Sequence, residues 1–240
     1  MPLWPWGSTS CESADRVEFT LLFAAGTGIG AAWAINRLRR SHYPEWLHRP
    51  TDLLVGVAAV GMIVGRLASM VAAGVNPVTH PFDILLVRGG VDTAIASIGS
   101  LGALAWTSRD HLPMTFDLLA PAAVAGLAGW HAGCLWRGTC LGTATDLPWG
   151  MAVEGSSVLR HPVELYTAAA MIVAAVTISR LPARPLLATG AGLTAVAAAR
   201  LFTEPLRLTV VGGPVAVYLA GTAIGIVLMA VSIFRRPAED

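Results

Sequence analysis

The 240-residue sequence predicts an all-α integral membrane protein with about seven transmembrane helices. Three observations carry that reading. Hydrophobic residues make up 55% of the chain and charged ones only 13%, against about 25% charged in ordinary water-soluble domains. The mean hydropathy is +0.63. The apolar residues also fall in runs near or above the ~18 needed to cross a bilayer. A formal net charge of +1 gives no reason to expect a nucleic-acid partner.

Taken in order, the predicted spans are 17–35, 53–75, 91–107, 114–132, 162–179, 186–204 and 214–234, within one transmembrane domain over 1–240. The opening "MPLWPWGSTSCESADRVEF" lacks a basic start and a continuous apolar core, so it does not read as a signal peptide. Cys11 follows Ser-Thr-Ser with no apolar stretch before it, which argues against a lipid-modified cysteine. All sixteen basic residues are arginine. Arg37, Arg39, Arg40, Arg49, Arg109, Arg180, Arg184, Arg235 and Arg236 lie on one side of the predicted spans. Arg16, Arg88, Arg137, Arg160 and Arg207 lie on the other. That bias puts the N-terminus outside and the C-terminus in the cytoplasm. Segment 133–161 is then extracytoplasmic. Residues 76–90, "NPVTHPFDILLVRGG", are too short and interrupted to span, and read as a helix lying along the interface.

Two arginines fall inside apolar segments, Arg66 in "VGRLASM" and Arg200 in "AAARLFTEPLR". A charge at membrane depth is costly unless paired or wetted, so such residues default to function. Glu204 lies four residues after Arg200, on the same helical face, and is placed to pair with it. A structural Arg–Glu pair accounts for these residues. So does an anion site, because guanidinium binds phosphate bidentately, and the anion at that depth is a phospholipid head group.

Residues 129–150, "GWHAGCLWRGTCLGTATDLPWG", gather His131, Cys134, Arg137 and Cys140 between apolar runs. Four readings stand open. If the fourth helix continues, His131 and Cys134 share a face, and the imidazole can generate a thiolate nucleophile. Cys134 and Cys140 can pair as a disulfide on the oxidising side. They can be ordinary unpaired cysteines. With His131 and His161 they can bind zinc, although the spacing matches no regular pattern, and no metal is expected. Trp130, Trp136 and Trp149 read as interfacial anchors. The glycine steps at 26–30 and 221–225 read as close helix packing.

In order along the chain, several of these pieces resemble one family, the prolipoprotein diacylglyceryl transferases of bacterial membranes. "GRL" at 65–67 is similar to the family's Gly-Arg turn, and 76–90 to its "NP…I…GG" segment. "TDLPWG" at 145–150 is a stretch common in the family. "RHPVELY" at 160–166 resembles "RHPSQLYE", and "RLFTEPLR" at 200–207 resembles "RF..E..R". The resemblance covers about residues 50–210 and implies a bacterial inner-membrane enzyme. Its expected substrate is phosphatidylglycerol, whose diacylglyceryl group passes to a lipobox cysteine as glycerol phosphate leaves. No metal or cofactor is implied.

The sequence departs from the pattern at several positions. Ala94 stands where the family places a histidine held to be essential, His131 where it has arginine, Cys134 where it has asparagine, and Thr139 where it has an acidic residue. "RHPVELY" lacks the family's Ser-Gln and final Glu, while His161, Glu164 and Tyr166 are present. The expected site therefore has Arg66, Arg200, Arg207 and Arg137 on the lipid phosphate and Glu204 orienting Arg200. His131 or His161 is the base, acting on an acceptor thiol or on Cys134. The acceptor is a protein or a small thiol. A lipid-binding membrane protein without catalysis is the rival reading.

Overall fold

The computed structural model describes residues 10–81, 91–137, 140–152, 156–182, 184–208 and 214–234, with side chains from residue 23 onward except at 136 and 137. Its long helices are α1 (Ser10–Leu38), α2 (Pro50–Ala72), α3 (Thr93–Thr107) and α4 (Leu112–Ala132), then α6 (Val163–Ile178), α7 (Leu187–Thr203) and α8 (Val215–Phe234). Each falls on one of the seven predicted apolar segments. Between α4 and α6 lie the one-turn helix α5 (Cys134–Arg137) and two short antiparallel strands, β1 (Met151–Ala152) and β2 (Leu159–Arg160).

Among the described residues three helices are long and apolar enough to cross a membrane: Pro50–Ala72, Arg109–Ala132 (α4 with its preceding turn) and Val215–Phe234. Helices α3 and α6 are apolar but shorter. Large apolar side chains cover the outside, among them Trp106 at 76% exposure and Phe234 at 83%. A surface of that kind suits lipid rather than water.

The inside is built from small residues. Helix α1 packs on α4, α4 on α6 and α7, and α7 on α8, while α2 pairs with α3. The central cluster joins Ala32, Ala122, Ala125, Ala128, Met171, Ala175 and Ala199, with several alanines fully buried. Because lipid tails are as apolar as side chains, backbones gain by approaching closely, and glycine permits this. A Cβ at Gly28 would stand 3.0 Å from the Gly126 carbonyl oxygen, and one at Gly225 would stand 2.7 Å from that of Gly190. The expected packing role therefore holds at Gly28 and Gly225. Gly26 and Gly30 face open space.

A polar clamp fixes the start of α7. Asp117 on α4 accepts a hydrogen bond from the Leu186 backbone N–H, and further ones from Thr189 N–H at 2.8 Å and the Thr189 hydroxyl at 2.6 Å. A neighbouring helix thus supplies the cap that α7 lacks in its own sequence, with a carboxylate at the positive end of the α7 dipole. The clamp sets α7 beside α4 and in the same direction, so the last turns of the two helices arrive at one end of the bundle.

The interfacial segment is described only over 76–81, a turn in which the Asn76 side chain accepts from Val78 N–H at 2.9 Å. Residues 82–90 lie outside the described residues.

Gly225→Val should lower the apparent thermal midpoint in detergent, with a cost on the order of 1–3 kcal/mol for overpacking. Gly102→Ala, with nothing within 4 Å of the new Cβ, should leave the midpoint unchanged or slightly raised.

Candidate active site

Charged ends of three helices meet at one carboxylate. His131 sits in the last turn of α4, Glu164 in the first turn of α6 and Arg200 in the last turn of α7. Glu164 at an N-terminus and Arg200 at a C-terminus each match the dipole of their own helix end. Glu164 Oε2 shares a hydrogen bond with His131 Nδ1, and its Oε1 accepts one from Arg207 Nη1. Arg200 Nη1 stands 3.9 Å from the same Oε1. The side chains are shielded: Glu164 is 16% exposed, Arg207 14% and His131 13%.

Helix α7 ends at Thr203 and a 3-10 turn, Glu204–Leu206, follows. The turn begins at Glu204, which breaks the helical register. Glu204 therefore does not pair with Arg200 as the i,i+4 spacing predicts. Its ion-pair contact is Arg207 Nε at 3.7 Å. Arg200 turns instead to α8, donating from Nε and Nη2 to the Tyr218 hydroxyl at 3.3 and 3.1 Å. Arg207 Nη2 also donates to Thr167 Oγ1 at 3.3 Å, beside a Thr167–Thr203 hydrogen bond that joins α6 to α7.

These groups surround a cavity of about 280 Å³ lined by Glu164, Arg200, Glu204, Arg207 and Tyr218, with Cys140, Leu141, Val163, Leu208 and Pro214 completing it. It is slightly smaller than the roughly 300–1,000 Å³ of pockets that enclose drug-sized ligands, so it suits a head group better than a whole phospholipid. Two guanidiniums and two carboxylates share its wall, so it presents both phosphate-binding donors and acceptors.

Cys134 and Cys140 form a disulfide, with Cα atoms 4.9 Å apart. The bonded Cys134 sulfur carries no thiolate, so the nucleophile expected there is replaced by a covalent pin. The expected His131–Cys134 pair fails for a related reason: α4 stops at Ala132, and Gly133 caps it before α5 begins. A Cβ at Gly133 would sit 2.6 Å from the Ala24 Cα of α1, so the chain turns where α1 crosses. His131 is left facing α6. Two bonded cysteines are also withdrawn from the zinc set, and among the described residues no group of three His, Cys, Asp or Glu side chains gathers to hold a metal.

The other predicted residues lie apart. His161 precedes α6, with Nδ1 3.4 Å from the Tyr166 hydroxyl, which also accepts from Trp149 Nε1 at 2.8 Å. Its carbonyl accepts from Gly142 and Val163 N–H, so it braces two wall segments without lining the cavity. Arg66 is buried on α2, at 7% exposure, and is not among the residues described as lining the cavity. The Arg137 side chain lies outside the described residues. Sequence reasoning passed over Glu164 as a site residue. Its signal was present, since an acid opening an apolar helix is itself an intramembrane charge. Tyr218 carried no comparable signal.

Fold and cavity together define an all-α membrane protein with a shielded carboxylate–guanidinium site at one end of its bundle. The family model for prolipoprotein diacylglyceryl transferase matches residues 16–235, and the chain belongs to that family. A phosphatidylglycerol–prolipoprotein diacylglyceryl transferase of Cupriavidus necator is 30% identical over 161 residues, covering 62% of this chain and 58% of the relative. Relatives of the same name from Cupriavidus metallidurans and Solidesulfovibrio magneticus are each 32% identical, over 159 and 152 residues, covering 62% and 59% of this chain and 58% and 57% of those proteins. The aligned part of the chain thus spans under two thirds of the length of these relatives.

The disulfide predicts that a thiol reagent labels at most Cys11 in the unfolded, unreduced chain and all three cysteines after reduction, read by intact mass. Cys134→Ser should lower stability by about 2 kcal/mol while leaving lipid binding measurable.

Proposed function

We propose that the chain transfers a diacylglyceryl group from phosphatidylglycerol to an acceptor thiol, that of a prolipoprotein or a smaller molecule. The observation that carries this reading is the pair of guanidiniums at the wall of a head-group-sized cavity, Arg207 bonded to the shielded Glu164 carboxylate and Arg200 bonded to Tyr218 beside it. Family membership supports it, as do the names of the relatives.

In this reading Arg200 and Arg207 hold the lipid phosphate, and Arg66 and Arg137 attract it to the site. The Glu164–His131 pair takes the proton of the acceptor S–H, a carboxylate fixing the imidazole in place. Sulfur then forms a C–S bond at the glycerol carbon of the diacylglyceryl group. The C–O bond to phosphate breaks with its electron pair on oxygen. Glycerol phosphate leaves with a second negative charge, which the two guanidiniums meet as it develops, and later takes back the proton. Cys134 has no part in the step, because its sulfur is bonded. His161 is the other histidine able to act as base, and it is distinguished from His131 by mutation.

The chain sits in the bacterial inner membrane with seven spans, its N-terminus outside and its C-terminus in the cytoplasm. The nine-to-five arginine bias supports this orientation. So does the disulfide, which lies at the end away from the arginine-rich loops, where an oxidising compartment preserves it. The site then opens towards the outer leaflet, with 133–161 outside and 76–90 along the interface.

One observation favours a second reading. Ala94 occupies the family's histidine position, and a chain that binds lipid without transferring it would tolerate that loss.

The test is incubation of the purified protein with radiolabelled phosphatidylglycerol and a lipobox peptide, reading glycerol phosphate release and peptide mass. Modified peptide is expected, and Arg200→Ala or Arg207→Ala should reduce the rate by roughly 100-fold or more. His131→Gln should reduce it strongly and His161→Gln less; the reverse order would move the base to His161. Bound lipid with no release from the wild type would favour the second reading.

A further inference from the structure

The Glu204 carboxylate is the least satisfied group in the site. Both of its oxygens are buried and have no hydrogen-bond partner among the described residues, in a residue only 7% exposed. It lines the cavity beside Arg200 and Arg207. Its nearest cation, Arg207 Nε, stands at 3.7 Å, too far for a hydrogen bond, and that nitrogen is itself unpartnered. The other carboxylate, Glu164, already holds His131 and Arg207. Buried polar groups in native folds find partners, and a conspicuous exception calls for a ligand that supplies them.

A carboxylate has two acceptor oxygens and no donor. What it lacks is a pair of donors side by side, in the volume next to a phosphate held on the guanidiniums. Adjacent hydroxyls on a glycerol head group answer that description. The same match of an acidic side chain to sugar hydroxyls operates in dinucleotide sites. An acceptor thiol offers one donor, not two. An ammonium head group would be drawn to Glu204 but repelled by Arg200 and Arg207.

We propose that Glu204 selects the lipid by its head group, its two oxygens accepting hydrogen bonds from the vicinal hydroxyls of a glycerol whose phosphodiester lies on Arg200 and Arg207. The inference rests on the phosphate site proposed above. Glu204 is then a specificity residue that touches substrate, rather than a prop for Arg200. Lipids with the same phosphodiester and no diol should enter the site and bind more weakly.

The experiment is calorimetric binding to the full chain in neutral detergent micelles. The probes are dioctanoyl phosphatidylglycerol, dioctanoyl phosphatidylethanol, dioctanoyl phosphatidylethanolamine and dioctanoylglycerol. The first two carry the same phosphodiester and differ in the diol. Wild type should prefer phosphatidylglycerol over phosphatidylethanol by about tenfold or more, as two hydrogen bonds to a charged acceptor imply. Glu204→Gln should bring that ratio close to one, and Glu204→Asp should leave an intermediate ratio. Arg200→Ala should weaken both lipids together and preserve the ratio.

Equal wild-type binding of phosphatidylglycerol and phosphatidylethanol would overturn the inference while leaving the phosphate site standing. Phosphatidylethanolamine binding as tightly as phosphatidylglycerol would also overturn it, by making Glu204 an ammonium partner. If dioctanoylglycerol binds as tightly as phosphatidylglycerol, the phosphate site fails, and the inference fails with it. Thermal unfolding of each variant confirms that it folds, and the wild-type comparison decides even where a variant does not.

Discussion

Everything at the active end of the molecule is arranged around the carboxylate of Glu164. It is shielded among apolar helices, where an unpaired charge would be expensive, so the elements that approach it bring hydrogen-bond donors and cations. Helix α4 brings His131 and the chain beyond α7 brings Arg207, while Arg200 stands a little farther off. Glu164 and Arg200 also sit at helix ends whose dipoles are opposite in sign to their charges. The geometry is thus electrostatically over-determined. Removing one partner strands the others.

That convergence depends on features far from the site. Asp117 fixes α7 against α4 at the opposite end of the bundle. Glycines at the α1–α4 and α7–α8 crossings let the backbones come close enough for short side chains to meet. The disulfide ties the end of α4 to residue 140, and the chain just beyond it is stitched to the site by Thr143 N–H on the Leu206 carbonyl and Gly142 N–H on that of His161. The wall of the cavity therefore inherits its shape from α4 and from the turn after α7 together.

Much of this was legible in the sequence. Seven apolar segments mark seven long helices, because hydropathy and length are local properties. Arg66 and Arg200 stand out because charge in an apolar run is rare, and Arg207 through the resemblance of 200–207 to the family's motif. What could not be read was set by helix ends. Whether Cys134 faces His131 or Cys140 depends on α4 stopping at Ala132, and whether Glu204 pairs with Arg200 or Arg207 depends on α7 stopping at Thr203. Helix spacing rules fail within one residue of such an end. The family pattern suggested two separate losses, an arginine at 131 and the Ser-Gln before Leu165. In the fold these positions are one contact, His131 with Glu164. A change that looks like decay at each site singly is a matched exchange when the pair is seen.

Charge balance gives that exchange a consequence. Arg200 and Arg207 face Glu164 and Glu204, which leaves the cluster formally neutral when His131 is uncharged. An arriving phosphodiester adds one negative charge in a shielded space. Fixed cations alone would not balance it, whereas a histidine able to gain a proton would. An arginine at 131 would hold its positive charge at every stage of a reaction. In the proposed reaction a histidine is neutral when it takes the acceptor proton and positive once glycerol phosphate carries its second negative charge. In that proposed reaction the pair with Glu164 would take the acceptor proton and, once charged, balance the phosphate, from one position next to the cavity wall. On that proposal, the exchange gives a physical reason why a chain with Ala94 in place of the family's histidine keeps Arg200, Glu204 and Arg207 at the cavity wall.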